Sequence, residues 1–264
     1  MGGDGAAQGE AGVDAFWRGR FVLKQLRGRG HRAGLDPLLL ACALPDWLSG
    51  RAADLGAGAG ALGLAGACRC AGLAVHMVEI EPDMAALARE SLALAENAAL
   101  APRLTVAEGD ILAGRKAREA AGLVDASLDA VLTNPPFHPP GGRVSPDALR
   151  AGAKSVPDAA FLPEWVRVSA SLLKHGGLFA CVVRPDVIRP ILDGAEGRLG
   201  GIELVAVHSR PEKPAVRLLV LARRGSRAPL AIRPAVTLQD EAGAPTQAGE
   251  AVASGAPLFG AAAA

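Results

Sequence analysis

The residues Asn134-Pro135-Pro136-Phe137 close an apolar run, residues 127 to 133, that is typical of a buried strand. Two consecutive prolines lack N–H donors and fix φ at about −65°, so the strand must end there in a stiff turn. The side-chain oxygen of Asn134 and the carbonyl of Pro135 can both accept hydrogen bonds from one planar amino group, and the ring of Phe137 offers a stacking surface. This combination favours an aromatic amine as substrate. A turn that only ends a strand is the alternative.

A glycine-rich loop lies upstream, in residues 54 to 60, Asp-Leu-Gly-Ala-Gly-Ala-Gly. Glycines let the backbone approach a ligand closely at the start of a helix, and Glu79 ends the next predicted strand, where an acid can bind ribose hydroxyls. The spacing Gly58-x-Gly60-x-x-Gly63 also satisfies the dinucleotide fingerprint. The loop by itself therefore predicts an adenosine-type ligand, without choosing between a nicotinamide cofactor and S-adenosylmethionine.

Two features favour the cofactor that carries an amino acid. Asp54 places a carboxylate where a dinucleotide pyrophosphate would be repelled and a cationic α-amino group attracted. A hydride-transfer enzyme has no evident use for the turn at Asn134, and the chain contains no tyrosine for a Tyr-x-x-x-Lys pair. A nicotinamide-dependent oxidoreductase stays as the alternative from a different class.

The elements that must position these residues alternate between short apolar strands and longer helices. In chain order they are strand 51–55, helix 60–71, strand 73–79, helix 82–98, strand 103–107, strand 128–133, helix 158–174 and strand 177–183. This alternation is typical of a parallel sheet covered on both faces. Segments 202–207 and 215–221 are joined by a loop too short for a helical crossover. We therefore predict an α/β fold with a doubly wound, mostly parallel seven-stranded sheet whose last strand is antiparallel.

Four regions follow from this pattern. They are a disordered leader (1–15), an N-terminal hairpin and helix on the substrate side (16–49), the catalytic domain (50–225) and a partly disordered C-terminal extension (226–264). In the second region, Gly28 and Gly30 predict the hairpin turn. Asp36 and Pro37 predict the N-cap and first residue of the helix. The outer regions are rich in Gly and Ala and lack a hydrophobic period.

The formal net charge of +1 conceals two basic segments. Residues 17–35 carry Arg18, Arg20, Lys24, Arg27, Arg29 and Arg32 without an acid, and residues 210–227 carry Arg210, Lys213, Arg217, Arg223, Arg224 and Arg227 against Glu212 alone. Solvated surface is the simpler interpretation of either segment, but such segments are also typical of nucleic-acid contact. We expect both to reach the rim of the sheet around Asn134.

The cysteines and the chain ends bear on metal binding and location. Cys42, Cys68, Cys70 and Cys181 have no zinc spacing and predict buried, reduced thiols, so no metal is expected. Neither end carries a targeting signal, and no uncharged apolar run reaches the roughly 18 to 20 residues that span a bilayer. We expect a soluble, cytoplasmic protein without a membrane partner. Its oligomeric state stays open.

The acidic glycine loop, Glu79 and the Asn134 turn together resemble those of class I S-adenosylmethionine-dependent methyltransferases of the Asn-Pro-Pro-Phe/Tyr group, over about residues 20 to 225. Within that group the chain is most similar to the bacterial valine-tRNA adenine-N6 methyltransferases, through residues 30–40, Gly109-Asp110 and residues 207–214. The sequence Asn-Pro-Pro-Phe-His, which includes His138, is also similar to ribosomal-RNA guanine-N2 methyltransferases. The target base therefore stays open.

The resemblance implies a Rossmann-like methyltransferase fold and a role for each matching residue. The cofactor-binding residues are Asp54, Gly56, Gly58 and Gly60 for the methionine portion, Glu79 for the ribose, Asp110 for the adenine amine, and Asn134 beside the methyl group. The catalytic residues are Asn134, Pro135, Pro136 and Phe137. The basic segments and the motif ring predict the substrate-binding residues Arg27, Arg29, Arg32, Phe137, Arg210 and Lys213.

The implied reaction moves a methyl group from S-adenosylmethionine to the exocyclic amine of a tRNA adenine, at a position in the anticodon loop. Guanine-N2 methylation of ribosomal RNA is the alternative within the same class. A relative that binds RNA without turnover would keep the basic segments and is the third possibility.

Overall fold

The structure is a computed structural model that describes residues 11–26, 34–136 and 159–259. Its strands are β1 Ala11–Phe16, β2 Phe21–Leu26, β3 Gly50–Leu55, β4 Leu73–Glu79, β5 Leu104–Glu108, β6 Leu128–Thr133, β7 Leu173–Val183, β8 Leu199–His208, β9 Ala215–Arg224, β10 Ala231–Ile232 and β11 Val236–Thr237. Its helices are α1 Leu35–Ala43, α2 Ala61–Arg69, α3 Pro82–Leu92, α4 Arg115–Ala120, α5 Phe161–Leu172, α6 Ile188–Ala195 and α7 Gln247–Ser254.

Nine of the described strands form one sheet, in the order β10-β8-β9-β7-β6-β3-β4-β5, with β11 also paired to β8. The strands β3 to β7 pair in parallel, whereas β9 is antiparallel to both of its neighbours, β7 and β8. The predicted α/β fold, the mostly parallel sheet and the antiparallel last strand of its seven-stranded core are confirmed. The short strands β10 and β11 are additions at the edge, parallel to β8.

Helices cover both faces of this sheet, which explains why its central strands are apolar throughout. On one face, buried side chains of α1 and α2 pack together with the N-terminal hairpin. On the other face, α5 and α6 pack against strand residues whose side chains point the opposite way, such as Ala53, Leu55 and Val131. A strand enclosed on both sides cannot alternate between apolar and polar residues.

The N-terminal hairpin differs from the prediction. Residues 11–16 form β1, which pairs antiparallel with β2, so the leader expected through residue 15 has regular structure from Ala11. The reversal lies at residues 17–20, and Gly28 and Gly30, where the turn was predicted, lie outside the described residues.

Aromatic packing and side-chain hydrogen bonds account for this hairpin. Phe21 stacks on Phe16 at 5.2 Å and meets Trp17 edge-on at 5.4 Å between ring centroids, and both Trp17 and Phe21 are buried. The outer edge of β2 is bonded by Asn97, whose amide accepts from Val22 N at 3.0 Å and donates to Val22 O at 2.8 Å. Buried backbone groups need such partners, so the side chain fixes where β2 docks.

The C-terminal extension, expected to be partly disordered, carries regular structure as far as Ser254. Thr246 caps α7, its hydroxyl accepting from Gly249 N at 3.1 Å, and the buried Trp17 donates from Nε1 to Val252 O at 2.9 Å. Of the apolar residues expected at the sheet edge, Val236 is buried, whereas Ile232 is 78% exposed. Composition did not reveal this order because it comes from contacts with the other end of the chain.

The start of α1 is also corrected. The helix begins at Leu35 with Gly34 at the N-cap, so Asp36 lies inside the first turn instead of capping it. Its carboxylate pairs with Arg217 of β9, with Nε and Oδ1 2.8 Å apart.

Candidate active site

The carboxyl ends of three adjacent strands bring the main sequence candidates together. Leu55 at the end of β3 is in register with Val78 of β4 on one side and Thr133 of β6 on the other. Neighbouring strands lie about 4.8 Å apart, so the glycine loop, Glu79 and Asn134 meet within roughly 10 Å along this edge. This row of strand ends, which we call the edge, is where ligands bind in open α/β sheets.

The loop after β3 adopts a conformation that requires glycine. Gly56, Gly58 and Gly60 have φ of +73°, +56° and +92°, in the left-handed region that disfavours residues with a Cβ. Gly60 is the N-cap of α2. Gly63 is needed for a different reason, because a Cβ there would lie 2.5 Å from Met77 Sδ. Backbone amides at the start of α2 are thus brought to the edge of the sheet.

The side chain of Asp54 stabilises this loop through a hydrogen bond to the start of α2. Its Oδ2 accepts from Gly63 N at 2.8 Å, which satisfies an amide in the first turn of α2. The residue is only 1% exposed. The predicted contact between Asp54 and a cofactor amino group stays a prediction, and the structure adds a helix-capping role that the sequence did not reveal.

Burial raises the pKa of Asp54 to about 7; the Gly63 amide opposes the rise and the carboxylate of Glu79 adds to it. Two buried acids at the ends of adjacent strands form a site that is stabilised by a cationic group.

Glu79 is buried at the end of β4 and reaches across to the glycine loop. Its Oε2 accepts from Gly58 N at 2.7 Å and its Oε1 from Glu81 N at 3.0 Å. Each carboxylate oxygen has two acceptor sites, so both can still accept from hydroxyl groups. The next residue, Ile80, is 58% exposed and offers an apolar face beside the acid. Sequence reasoning missed Ile80, although an isoleucine directly after a strand-end acid was visible.

Asp110 lies in the loop after β5, next to Gly109, whose amide donates to Glu79 O at 2.9 Å. Its side chain is exposed, and Oδ1 accepts from Leu112 N at 2.8 Å in a turn rather than at a helix start. The helix N-cap interpretation of Asp110 therefore does not apply, and the residue is placed on the Glu79 side of the edge.

Asn134 follows β6 directly and leaves a polar atom without a protein partner. Its Oδ1 is buried, and no donor in residues 11–26, 34–136 and 159–259 bonds it. A buried acceptor left unpaired costs about 1 to 3 kcal/mol, which a ligand that donates to it recovers. Pro135 is buried and Pro136 half-buried, while Phe137 lies outside the described residues.

A cleft of about 310 Å³ opens beside Asn134, and we term it the α1–β9 cleft. The first turn of α1, the facing ends of β8 and β9, and Leu238 after β11 form its walls. Its volume lies at the small end of the range, about 300 to 1,000 Å³, for pockets that hold small ligands.

Two further residues hold the strand ends in place. Trp165 of α5 donates from Nε1 to Thr133 Oγ1 at 3.1 Å, and Thr133 donates to Leu55 O at 2.8 Å. The same indole lies under the loop, where a Cβ on Gly56 would be 3.3 Å from Trp165 Cη2. Sequence reasoning missed both residues, and the one available signal was a tryptophan in a predicted amphipathic helix.

The second basic segment divides between opposite edges of the sheet. Arg210 and Lys213 are exposed in the β8–β9 connection, at the same edge as Asn134. Arg223 and Arg224 lie at the other end of the ten-residue strand β9, roughly 30 Å from its start at about 3.3 Å per residue. There Arg223 stacks over Trp47 at 4.7 Å, and Arg224 donates to carbonyls that end α5.

Arg20 and Lys24 of the first basic segment do not reach the rim at Asn134, contrary to the expectation. Arg20 donates to Cys68 O near the end of α2, and Lys24 pairs with Glu90 of α3 at 2.5 Å. The substrate-binding candidates Arg27, Arg29 and Arg32 lie outside the described residues, as does His138.

Among the described residues, no group of three or more His, Cys, Asp or Glu side chains is arranged to hold a metal ion. None of the described helices combines the length and the apolar character needed to cross a bilayer.

Known proteins share the sequence pattern and the architecture of this chain. Residues 35–191 match the protein family described as the methyltransferase small domain. Over 215 residues the chain is 28% identical to the tRNA1(Val) (adenine(37)-N6)-methyltransferase of Porphyromonas gingivalis, which covers 78% of this chain and 80% of the relative.

Solved structures with the same architecture include a predicted O-methyltransferase from Agrobacterium tumefaciens, at 33% identity and a TM-score of 0.73, covering 85% of this chain and 98% of that one. The T. thermophilus 16S rRNA N2 G1207 methyltransferase, solved with AdoMet and guanosine, has 24% identity and a TM-score of 0.54, over 81% of this chain and 50% of that one.

Proposed function

The chain belongs to the methyltransferase small domain family, and we propose that it transfers a methyl group from S-adenosylmethionine to the exocyclic N6 amine of a tRNA adenine, at a position in the anticodon loop. Methyltransferase activity and the Rossmann-like methyltransferase fold follow from the family and from the 33% identical structure. The base and the RNA are the proposed part. They are supported by the adenine-N6 activity named for the P. gingivalis relative.

The single observation that carries the proposal is the buried Oδ1 of Asn134, which has no partner among the described residues. An acceptor in this position is matched by a planar amino group, which has two hydrogens to donate. A hydroxyl substrate would supply only one donor, so the site favours an N-methylation over an O-methylation.

The residues present fit S-adenosylmethionine. The glycine loop has positive φ at Gly56, Gly58 and Gly60, where a Cβ would be strained, and it lies between two acids that favour a cationic ligand. Glu79 has acceptor capacity for ribose hydroxyls, Ile80 an apolar face for adenine, and Asp110 an acceptor for the adenine amine. When bound, the cofactor supplies an electrophilic methyl group on a sulfonium.

The protein's part in the reaction is orientation. The lone pair of an exocyclic amine is delocalised into the base, so the amine is a weak nucleophile. Asn134 Oδ1 and the carbonyl of Pro135 would accept its two hydrogens and aim its nitrogen, which lowers the barrier through positioning and through favourable charge near the reacting amine. No strong base is required before transfer, since the proton leaves after the new N–C bond forms.

The tRNA part of the proposal is supported by Arg210 and Lys213, exposed at the edge that carries Asn134. Cations of this kind contact phosphates and fix the position of an RNA without reading its sequence. A base in a loop is extruded at lower cost than a base in a duplex.

Product analysis tests the proposal. The protein is incubated with isotope-labelled S-adenosylmethionine and total bacterial RNA, tRNA is separated from ribosomal RNA, and the nucleosides are analysed by mass spectrometry. We expect labelled N6-methyladenosine in the tRNA fraction. Labelled N2-methylguanosine in ribosomal RNA as the only product would overturn the proposal in favour of guanine, whose exocyclic amine also matches the Asn134 acceptor.

A further inference from the structure

The α1–β9 cleft lies on the opposite side of Asn134 from the glycine loop. In the sheet order, β6 has β3 as one neighbour, whereas β7, β9 and β8 follow on its other side. The cleft is lined by Asn134 and by residues of β8 and β9. A molecule in the cleft would therefore meet Asn134 from the side that the cofactor loop leaves open.

The walls of the cleft are apolar side chains that solvent reaches. Leu35 at the start of α1 is 47% exposed and Val216 of β9 is 39% exposed, and both line the cleft. Leu238, held in place where its amide donates to His208 O at 2.9 Å, adds a third apolar surface. Exposed apolar groups gathered around one small cleft are matched by the flat faces of an aromatic ring.

The polar wall of the cleft is the ion pair between Asp36 and Arg217. Arg217 Nε donates to Asp36 Oδ1 at 2.8 Å, and its Nη1 donates to Val216 O at 2.7 Å. These bonds contribute to the orientation of the guanidinium group. Asp36 is itself favourably placed, because a carboxylate in the first turn of a helix is stabilised by the helix dipole.

We propose that the α1–β9 cleft holds the base to be methylated and that Arg217, oriented by Asp36, determines the choice of base by donating to a ring nitrogen beside the target amine. This inference rests on the proposed function and extends it to a residue that reads the ring. Adenine has ring acceptors, N1 and N7, on both sides of its amine. Guanine carries an N–H donor on one side of its own amine, so a guanidinium there favours adenine.

The contact between Arg217 and a ring nitrogen is tested by removing the nitrogen from the base, removing the donor from the protein, and comparing the losses in kcat/KM. An RNA hairpin with a loop adenosine that the enzyme methylates is compared with two versions that carry 1-deazaadenosine or 7-deazaadenosine at that position. The protein variants are Arg217→Met, which removes the donors and keeps an unbranched stem, and Asp36→Asn, which removes the charge and keeps the shape. Arg227→Gln is the matched control, since Arg227 is exposed beyond the far end of β9.

We expect Arg217→Met to lower kcat/KM on the adenosine hairpin about 10-fold to 100-fold, as the loss of one charge-assisted base contact predicts. One of the two deaza hairpins should be poorer by a similar factor for the parent, and on that hairpin Arg217→Met should cause little further loss. Asp36→Asn should show the same pattern at smaller size, and Arg227→Gln none. Melting curves and S-adenosylhomocysteine titration confirm that the variants are folded.

Equal losses for Arg217→Met on all three hairpins, with a weaker salt dependence of KM, would overturn the inference and make Arg217 a phosphate contact. A second readout does not need turnover: a hairpin with 2-aminopurine next to the intact target adenosine gains fluorescence when the target base leaves the stack beside it. Suppose that the parent forms no N6-methyladenosine but shows the fluorescence gain, and that Arg217→Met loses this gain whereas Arg227→Gln keeps it. The cleft is then the site of the base, and the proposed reaction is wrong. If the parent shows no fluorescence gain, the cleft is not the site of the base.

Discussion

The side chain of Asn134 links the fold to the chemistry. It follows an apolar strand that ends at two prolines, so the backbone around it is stiff, and its buried Oδ1 has no protein donor among the described residues. A fixed acceptor can orient a substrate amine without reorganising during the reaction.

Asn134→Ala tests this separation of chemistry from cofactor binding. We expect kcat to fall by about 10³-fold or more, because orientation of the amine is lost. The affinity for S-adenosylhomocysteine, measured by titration calorimetry, should stay nearly unchanged because the proposed partner of Asn134 is the substrate. If both fall together while the protein stays folded, Asn134 has a structural role at the strand end.

The raised pKa of Asp54 predicts how the stability of the protein depends on pH. Burial raises its pKa from the ordinary value of 3.8 to about 7. The protein is therefore stabilised by the neutral acid at low pH, and this contribution is lost as pH rises from about 4 through 7. The loss is of order 4 kcal/mol, at about 1.4 kcal/mol per pH unit.

Asp54→Asn keeps an acceptor for Gly63 N and cannot ionise. The unfolding free energy of the variant minus that of the parent should increase as pH is raised from about 4 to 8, measured by urea denaturation. Two curves that run parallel across this range would mean that Asp54 keeps an ordinary pKa. In the same comparison, the parent should bind S-adenosylhomocysteine more tightly at about pH 8 than at about pH 6, because the ionised acid attracts its ammonium group, and the variant should not.

The position of Asn134 depends on how helix α5 braces β3 and β6. Trp165 donates to Thr133, and Thr133 donates to Leu55 O, so one side chain on the helix fixes two strand ends. The same tryptophan contacts the glycine loop. A shift of this helix would move the cofactor loop and the strand end at Asn134 together.

Thr133→Val preserves the shape of the side chain and removes its hydroxyl. It removes the acceptor of the Trp165 N–H and a donor to Leu55 O in the core, so we expect a loss of about 1 to 3 kcal/mol in stability and a lower kcat. Ser169→Ala is the matched control, since this buried hydroxyl on the same helix donates to the carbonyl of Trp165 at 2.7 Å and contacts no strand end. If Ser169→Ala lowers kcat as much as Thr133→Val, the bracing role is wrong.

The C-terminal helix α7 and the residues after it pack against the N-terminal hairpin and α1 over one face of the sheet. We call this packing the closure. Trp17 bonds Val252 O, Leu258 N donates to Cys42 O at 2.8 Å, and Gly255 ends α7 with φ of +78° directly against the Trp17 ring. Through Thr246, whose amide donates to Leu238 O at 3.0 Å, this closure also supports a wall of the α1–β9 cleft.

Gly255→Ala tests the closure. A Cβ there would lie 2.5 Å from Trp17 Cδ2, so overlap adds to the strain of a left-handed alanine. Gly197→Ala is matched, because Gly197 also has a positive φ, +70°, but no atom within 4 Å of the added Cβ. We expect Gly197→Ala to cost about 1 kcal/mol and Gly255→Ala about 2 to 4 kcal/mol, measured by thermal unfolding. Equal costs would show that α7 moves aside freely.

The distribution of charge over the molecule predicts how RNA binds. Arg210 and Lys213 lie at the edge with Asn134, so Arg210→Gln/Lys213→Gln should raise KM for tRNA and reduce the slope of log K against log[salt] by about 1.5, the value for two phosphates. Arg227→Gln, at the opposite end of the strands, should change KM for tRNA and the salt slope only slightly, through the loss of one positive charge. A slope that is unchanged in the double variant would place the RNA elsewhere.

The amino-acid sequence was sufficient to predict the order of strands and helices, the antiparallel β9 and the residues at the strand ends. These features are local: hydrophobic periodicity, glycines that need positive φ, and prolines that end a strand all act within a few residues. That is why the local pattern placed Asp54, Glu79 and Asn134 at the ends of strands. In the structure, the parallel pairing of β3 with β4 and β6 brings these strand ends to one side of the sheet.

The contacts between segments that are distant in sequence became visible only in the folded structure. The pairing of Asp36 with Arg217 joins residues 181 positions apart, and that of Trp17 with Val252 spans 235. No periodicity encodes such pairs, since they depend on which helix faces and strand ends meet after the sheet has formed. For the same reason, composition predicted disorder for residues 11–15 and for α7: short segments rich in Ala and Gly lack a local signal and are ordered by burial against the rest of the chain.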